Sequence, residues 1–264
     1  MIKLIATDID GTLVKDGSAD INPEIFDVIM ELKEKGAVFA AASGRQYPSI
    51  RRLFDPIHEN MIFIAENGAY IKCRGVEMFK SNMDKEIVKE LVIEARGFES
   101  EKLYLTVSTP ECLYIETKDE EFYDVLVNGY RNNVKQVDDV LKEDLDVIKI
   151  ALYKADGIRD IADNKLIPKW RNRLKVVMAG AEWLDFMDSS VDKGEALSTI
   201  QKALSISREE TMAFGDNIND IGMLSNAGES YAVATAREEL KAIAKHIAGS
   251  YLEDGVLTEL KKLL

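Results

Sequence analysis

Three short apolar runs, Ile2–Thr7, Ala37–Ala42 and Met61–Ala65, alternate with two segments of helical character. Each run is too short for a helix and is closed by polar or glycine residues, which reads as a buried strand. Between the first two, Asn22-Pro23 opens a helix, because asparagine suits a cap and proline suits the first helical position. Ile25, Val28, Ile29 and Leu32 then recur at i, i+3, i+4 and i+7 as one apolar stripe, and Gly36 ends it. Gln46–Phe54 supplies the second helix. Strand–helix–strand–helix–strand predicts a parallel sheet with helices on both faces. The rhythm returns near the C-terminus, with helices over Lys193–Leu204, Ile218–Leu224, Arg237–Lys245 and Val256–Leu264 and strands over Thr211–Phe214 and Tyr231–Ala234.

Between these halves the rhythm changes. Tyr70–Cys73 and Val76–Phe79 flank Arg74-Gly75 as a hairpin. Helices are expected over Asp84–Ala95, Glu120–Gly129 and Gly157–Ile167. Strands are expected near Lys102–Val107, Leu113–Glu116, Val147–Tyr153, Leu174–Met178 and Trp183–Met187. Strands in adjacent pairs predict antiparallel pairing in an α+β module. The fold class is therefore α/β: a doubly wound, mostly parallel core formed by 1–80 and 188–264, with an α+β domain inserted over 81–187. A length of 264 residues suits two domains.

Composition removes other classes. A net charge of −13 argues against a nucleic-acid groove or a polybasic membrane patch. Cys73 and Cys112 form neither a disulfide framework nor a zinc pair, and two histidines, His58 and His246, make histidine metal sites and triads poor bets. Met78, Met83, Met178 and Met187 read as core filler. The first apolar run is too short for a signal peptide, and the longest uncharged one, Ala37–Ala42, cannot span a bilayer. A cytoplasmic monomer or weak homodimer is expected.

Ligands of open α/β sheets bind beyond the carboxyl ends of the strands. There this sequence places Asp8, Asp10, Gly11 and Thr12; Ser43, Gly44 and Arg45; Glu66, Asn67 and Gly68; and Gly215, Asp216, Asn219 and Asp220. A single Asp after a strand is commonly a cap or turn former. Carboxylates converging from several loops repel one another unless a cation sits among them, and oxygen ligands with open positions suit Mg²⁺.

Asp8-Ile9-Asp10-Gly11-Thr12 resembles the first motif of the haloacid dehalogenase-like superfamily. Ala42-Ser43-Gly44-Arg45 resembles the second, Ser190-Val191-Asp192-Lys193-Gly194 the third, and Gly215-Asp216-Asn217-Ile218-Asn219-Asp220 the fourth. Glu66-Asn67-Gly68-Ala69 and Glu253-Asp254-Gly255-Val256 are similar to lesser signatures of its Cof-type sugar-phosphatase branch. The resemblance implies a Mg²⁺-dependent phosphatase acting on a small phosphorylated metabolite through a phosphoaspartyl intermediate. Asp8 is then the nucleophile, Asp10 the general acid and base, and Lys193 the cation offsetting nucleophile and phosphate. Ser43, Gly44, Arg45 and Asn219 are expected at the phosphoryl group. Asp8, Asp10, Asp216 and Asp220 are expected at the metal, Asp10 through its backbone carbonyl and Asp220 by holding metal-bound water. The insertion is expected to be a specificity cap. Thr235 departs from the asparagine that relatives often carry at its position. A phosphomutase would share every core motif, and a non-catalytic sensor of phosphorylated ligands could keep the scaffold, although it would be expected to lose the nucleophile or Lys193. A dehalogenase would need neither Asp10 nor the fourth motif.

Overall fold

A computed structural model describes residues 1–264, the side chain of Glu99 excepted. The chain runs through β1 (Leu4–Asp8), α1 (Glu24–Glu34), β2 (Val38–Ala42), α2 (Tyr47–Leu53), β3 (Met61–Ala65), β4 (Tyr70–Cys73) and β5 (Val76–Lys80). The middle part adds α3 (Lys85–Arg96), β6 (Tyr104–Ser108), β7 (Leu113–Ile115), α4 (Glu120–Asp124), β8 (Val134–Gln136) and β9 (Lys149–Tyr153). It continues with α5 (Arg159–Ile161), α6 (Ile167–Trp170), β10 (Leu174–Ala179) and β11 (Trp183–Asp188). The last part holds α7 (Lys193–Leu204), β12 (Thr211–Gly215), α8 (Ile221–Ser225), β13 (Glu229–Val233), α9 (Glu238–Lys241), β14 (His246–Ala248) and α10 (Gly255–Lys261). No helix among the described residues is long and apolar enough to cross a membrane.

Two compact units result, one from Met1–Phe79 with Asp192–Leu264 and one from Lys80–Val191. The second junction falls after Val191, whose N–H still donates to Asp188 O at the end of β11.

The first unit is built on an eight-stranded sheet of order β14-β13-β12-β1-β2-β3-β4-β5. Its strands from β14 to β3 pair in parallel, and β4 is antiparallel to β3. Every residue of β1 and of β3 is buried. Strands covered on both faces read as near-continuous apolar runs, and so Leu4–Ala6 and Met61–Ala65 show no alternation. The chain leaves β1 toward β2 on one side and later returns to β12 on the other. β1 is thus the point where strand order reverses, and its carboxyl end opens a crevice. Asn22 Oδ1 accepts from Glu24 N at 3.1 Å, with Pro23 in helical conformation just after it, as the cap reading predicted.

The second unit holds a six-stranded sheet of order β10-β11-β9-β6-β7-β8. Pairing is antiparallel throughout β10 to β7. One expectation is corrected: β7 and β8 pair in parallel. The sequence gives β8 little signal, because Val134-Lys135-Gln136 is a three-residue edge with no buried position. Strand β14 is missed for the same reason, since only Ala248 of its three residues is buried. The helices expected over Glu120–Gly129 and Gly157–Ile167 each contain a π-turn, at Val125–Gly129 and Ala162–Leu166. The helix expected over Arg237–Lys245 shrinks to α9, whose single buried residue is Leu240. One face of the sheet packs Ile150, Leu152, Leu184 and Phe186 with Leu91 and Val92 of α3 and Trp170. On a second cluster, Phe122 stacks on Tyr104 at 4.7 Å and on Tyr153 at 5.1 Å.

Candidate active site

Strand β1 ends in Asp8, and the chain turns sharply. Ile9 is buried and anchors the turn, with Leu13 N and Val14 N both donating to Ile9 O. Gly11 sits at φ +81°, and a Cβ there would stand 2.4 Å from Asp216 Oδ2. Both the left-handed backbone and the close approach demand glycine. Thr12 Oγ1 donates to Asp8 Oδ2 at 3.0 Å, which leaves Asp8 Oδ1 for another donor.

That donor is Lys193, the first residue of α7. The Asp192 side chain caps the helix by accepting from Gly194 N at 2.8 Å. Gly194 lies so close to Gly222 of α8 that a Cβ would stand 2.4 Å from its carbonyl carbon. This approach brings the third and fourth motifs together. Lys193 Nζ donates to Asp8 Oδ1 at 2.5 Å and to Asp220 Oδ1 at 2.7 Å, with all three residues buried. Asp220 Oδ2 accepts from Asp216 N at 3.0 Å and Asn217 N at 3.1 Å. Asp220 therefore clamps both the lysine and the turn that presents Asp216.

Asp8, Asp216 and Asp220 each offer a carboxylate oxygen within 4.8 Å of the other two. One ammonium cannot balance three carboxylates, two of them buried and the third, Asp216, half-buried. Burial, then Asp220, and lastly Asp216 raise the Asp8 pKa well above the usual carboxylate range, against the pull of Lys193. Burial and then Asp220 push Asp216 up to about 7. Burial alone would lower the Lys193 pKa, but Asp220 and Asp8 outweigh it and keep the ammonium protonated. A set of hard oxygen donors with surplus negative charge fits a Mg²⁺ ion, and no histidine or thiol joins it.

The loop after β2 carries Ser43, Gly44 and Arg45. Ser43 N donates to Ile64 O, and Ser43 O accepts from Asn67 N at 3.0 Å. Ser43 Oγ accepts from Arg45 N at 3.1 Å. Glu66, Asn67 and Gly68 form a run of positive φ (49°, 57° and 105°) at the end of β3, a conformation that costs the first two and that glycine adopts freely. This run packs against the Ser43 loop: Glu66 N donates to Arg45 O, and a Cβ on Gly44 would stand 3.2 Å from Asn67 Nδ2. Asn219 Nδ2 donates to Asn67 Oδ1 at 3.0 Å.

Among the expected residues, the carboxylates of Asp8, Asp216 and Asp220 converge, with Lys193 between Asp8 and Asp220. The Asp10 carboxylate points elsewhere and receives the Arg45 guanidinium. Thr235 is exposed in the turn after β13, where Arg237 N donates to Asp216 O at 2.9 Å. Two residues outside the expected set enter the site, Thr12 on Asp8 and Asn67 on Asn219. Position beyond a strand end was their signal.

The sequence profile of the haloacid dehalogenase-like hydrolases matches residues 5–260. The chain is 27% identical over 267 residues to the 5-amino-6-(5-phospho-D-ribitylamino)uracil phosphatase YbjI of Escherichia coli, covering 100% of this chain and 96% of that protein. It is likewise 27% identical over 289 residues to the phosphatase YwpJ of Bacillus subtilis, covering 100% of both. A crystal structure from Eubacterium rectale superposes with a TM-score of 0.90 at 38% identity, covering 100% of this chain and 99% of the other.

Proposed function

The chain belongs to the haloacid dehalogenase-like hydrolases and is a phosphatase of that family, and from this premise we propose that it hydrolyses small phosphomonoesters with Mg²⁺ through a phosphoaspartyl intermediate on Asp8. The observation that carries the reading is the state of Asp8: a buried carboxylate at the carboxyl end of β1, held by Thr12 and Lys193 and facing Asp216 and Asp220.

Asp8 attacks phosphorus in line with the leaving oxygen. Asp10, two residues on, gives that oxygen a proton and then takes one from the water that hydrolyses the acyl phosphate. Covalent catalysis divides one difficult displacement into two easier ones. Lys193, Ser43, Asn219 and the backbone around Gly44 neutralise and orient the phosphoryl oxygens. Asp8 and Asp216 would hold the Mg²⁺, with the Asp10 carbonyl beside them and Asp220 behind them. A bound Mg²⁺ supplies charge neutralisation at the phosphoryl group. A positive pocket of this kind lets a molecule of net charge −13 accept an anion.

The substrate class is a phosphorylated polyol or sugar, or a metabolite that carries one, and the inserted domain selects among them. The phosphoribitylamino-uracil named for the Escherichia coli relative belongs to this class. The test is a panel of phosphorylated metabolites with released inorganic phosphate as readout, with and without Mg²⁺. Sugar and polyol phosphates should lead the ranking. Turnover without phosphate release, or none by any panel member, would remove the reading.

A further inference from the structure

We propose that Arg45 is a positioning residue for Asp10 and not a ligand of the phosphoryl group. The inference rests on the reading of Asp10 as the proton-transfer group. Arg45 Nε donates to Asp10 Oδ2 at 2.8 Å, and Nη2 donates to Asp10 Oδ1 at 2.5 Å. Nη2 also donates to Ser18 O at 2.8 Å. The edge of the guanidinium formed by Nε and Nη2 is thereby spent on Asp10 and on the loop after β1.

The fork sets the plane of the Asp10 carboxylate as well as its place. Two parallel N–H···O bonds define an orientation that a point charge cannot. Gly17 N adds a third bond, to Oδ1 at 3.0 Å. Ser43 Oγ lies 3.5 Å from Oδ2. Arg45 is itself fixed at both backbone ends, its N–H on Ser43 Oγ and its carbonyl on Glu66 N. Its side chain is 6% exposed, against 24% for Asp10. The rigid partner is therefore the arginine, and the aspartate keeps the solvent-facing side needed to meet a leaving group or a water. The loop expected to hold the phosphoryl group so carries the brace that aims the acid, and the distance between the two functions is set within one short segment.

The experiment measures kcat/KM for phenyl, p-nitrophenyl and 2,4-dinitrophenyl phosphate, whose leaving groups need progressively less protonation. Wild type, Arg45→Ala, Arg45→Lys, Asp10→Asn and the Arg45→Lys/Asp10→Asn double variant are compared, each in the presence of Mg²⁺. Inhibition by inorganic phosphate is measured alongside. The positioning role predicts a loss on the order of 10–100-fold for phenyl phosphate in both Arg45 variants, a part of the 10²–10⁴ that proton transfer contributes. The loss should shrink toward 2,4-dinitrophenyl phosphate, inhibition by phosphate should stay within about twofold of wild type, and the double variant should be no worse than Asp10→Asn. Lysine keeps the charge and loses the fork, so Arg45→Lys decides the matter if Arg45→Ala does not fold. A uniform loss across the three esters with weakened phosphate inhibition would overturn the proposal and return Arg45 to the phosphoryl group, as would wild-type behaviour of Arg45→Lys. If Asp10→Asn itself shows no dependence on the leaving group, the reading of Asp10 fails first and the proposal falls with it.

Discussion

Lys193 and Asp8 stand 185 positions apart in the chain, yet the lysine ammonium donates to Asp8 Oδ1 at 2.5 Å with both side chains buried. Removing the ammonium leaves the buried carboxylates of Asp8 and Asp220, with the half-buried Asp216 beside them, without a cation. Breaking one partner of a buried pair costs about 3–5 kcal/mol. For a chain of this size that is on the order of 6–20 °C in melting temperature. Lys193→Met should show this loss in EDTA, should recover part of it with Mg²⁺, and should be slowed by about 10²–10³-fold in turnover. Calorimetry and phosphate-release assays check both. A metal-free variant that melts with wild type would contradict the assigned role.

The acidic cluster also predicts a pH dependence. Asp216 ionises near 3.8 in the unfolded chain and near 7 in the folded one, because burial and then Asp220 raise it. Between those values the folded protein binds more protons than the unfolded one. Stability of the metal-free protein should therefore fall through this group as pH rises from about 4 to about 7. Asp8 is raised in the same direction. Mg²⁺ competes with those protons, so stabilisation by Mg²⁺ should grow over the same interval. Melting curves of wild type and Asp216→Asn, in EDTA and in Mg²⁺, give the difference. Asp216→Asn should be relatively more stable in EDTA at pH 7 and should lose the response to Mg²⁺.

Gly11 offers a test of packing at the same point. An added Cβ would stand 2.4 Å from Asp216 Oδ2 at a backbone of φ +81°. The left-handed conformation costs a non-glycine residue about 1–2 kcal/mol. Displacement of Asp216 comes on top of it. Gly11→Ala should lower the melting temperature and, separately, raise the Mg²⁺ concentration needed for half-maximal activity. A shift in stability alone would mean that Asp216 does not hold the metal.

How much of this was legible before the fold is itself a matter of physics. The buried strands β1 and β3 were readable because strands covered on both faces are apolar along most of their length. Asp8, Ser43 and Asp216 were readable because their motifs stand at the ends of the buried strands β1, β2 and β12, and Lys193 because its motif opens α7. β8 and β14 were not, since three-residue edges leave no periodic trace. Nor was the partner of Arg45. An arginine after a strand has the same sequence signal whether its guanidinium meets an anion from solution or a carboxylate 35 positions back in the chain. Asn67 was visible as a position but not as a tie to Asn219, because that contact spans 152 residues and forms only when both loops are in place.

Asp8 and Asp10 should fail in different ways. Asp8→Asn should abolish turnover and covalent labelling together. Asp10→Asn keeps the nucleophile and should lose about 10²–10⁴-fold with an alkyl phosphate. With an activated aryl ester it should accumulate phosphate on Asp8, visible as a mass increase in the intact protein. Turnover by Asp8→Asn near that of wild type would exclude the covalent route.

The inserted domain carries none of the residues assigned to the chemistry. Substitutions of exposed residues within 84–185 should reorder the preference among sugar phosphates and leave the Mg²⁺ requirement intact. The panel described above, repeated on such variants, checks this. An unchanged ranking across several of them would place selection in the first unit.

The interruption of the first unit by residues 80–191 also sets an order of events during synthesis. Strand β1 leaves the ribosome well ahead of β12, which pairs with it from Leu4↔Thr211 to Thr7↔Phe214 and follows some 200 residues later. At about 5–20 residues per second, the nascent chain carries that unpaired apolar edge for on the order of 10–40 s. Throughout this interval β1 is an open template for strand addition by any other chain. The inserted segment has all of its own strands by Asp188 and can collapse first. Chains truncated between 190 and 210 should therefore be caught by chaperones or aggregate through the first unit, while the inserted segment within them is already folded.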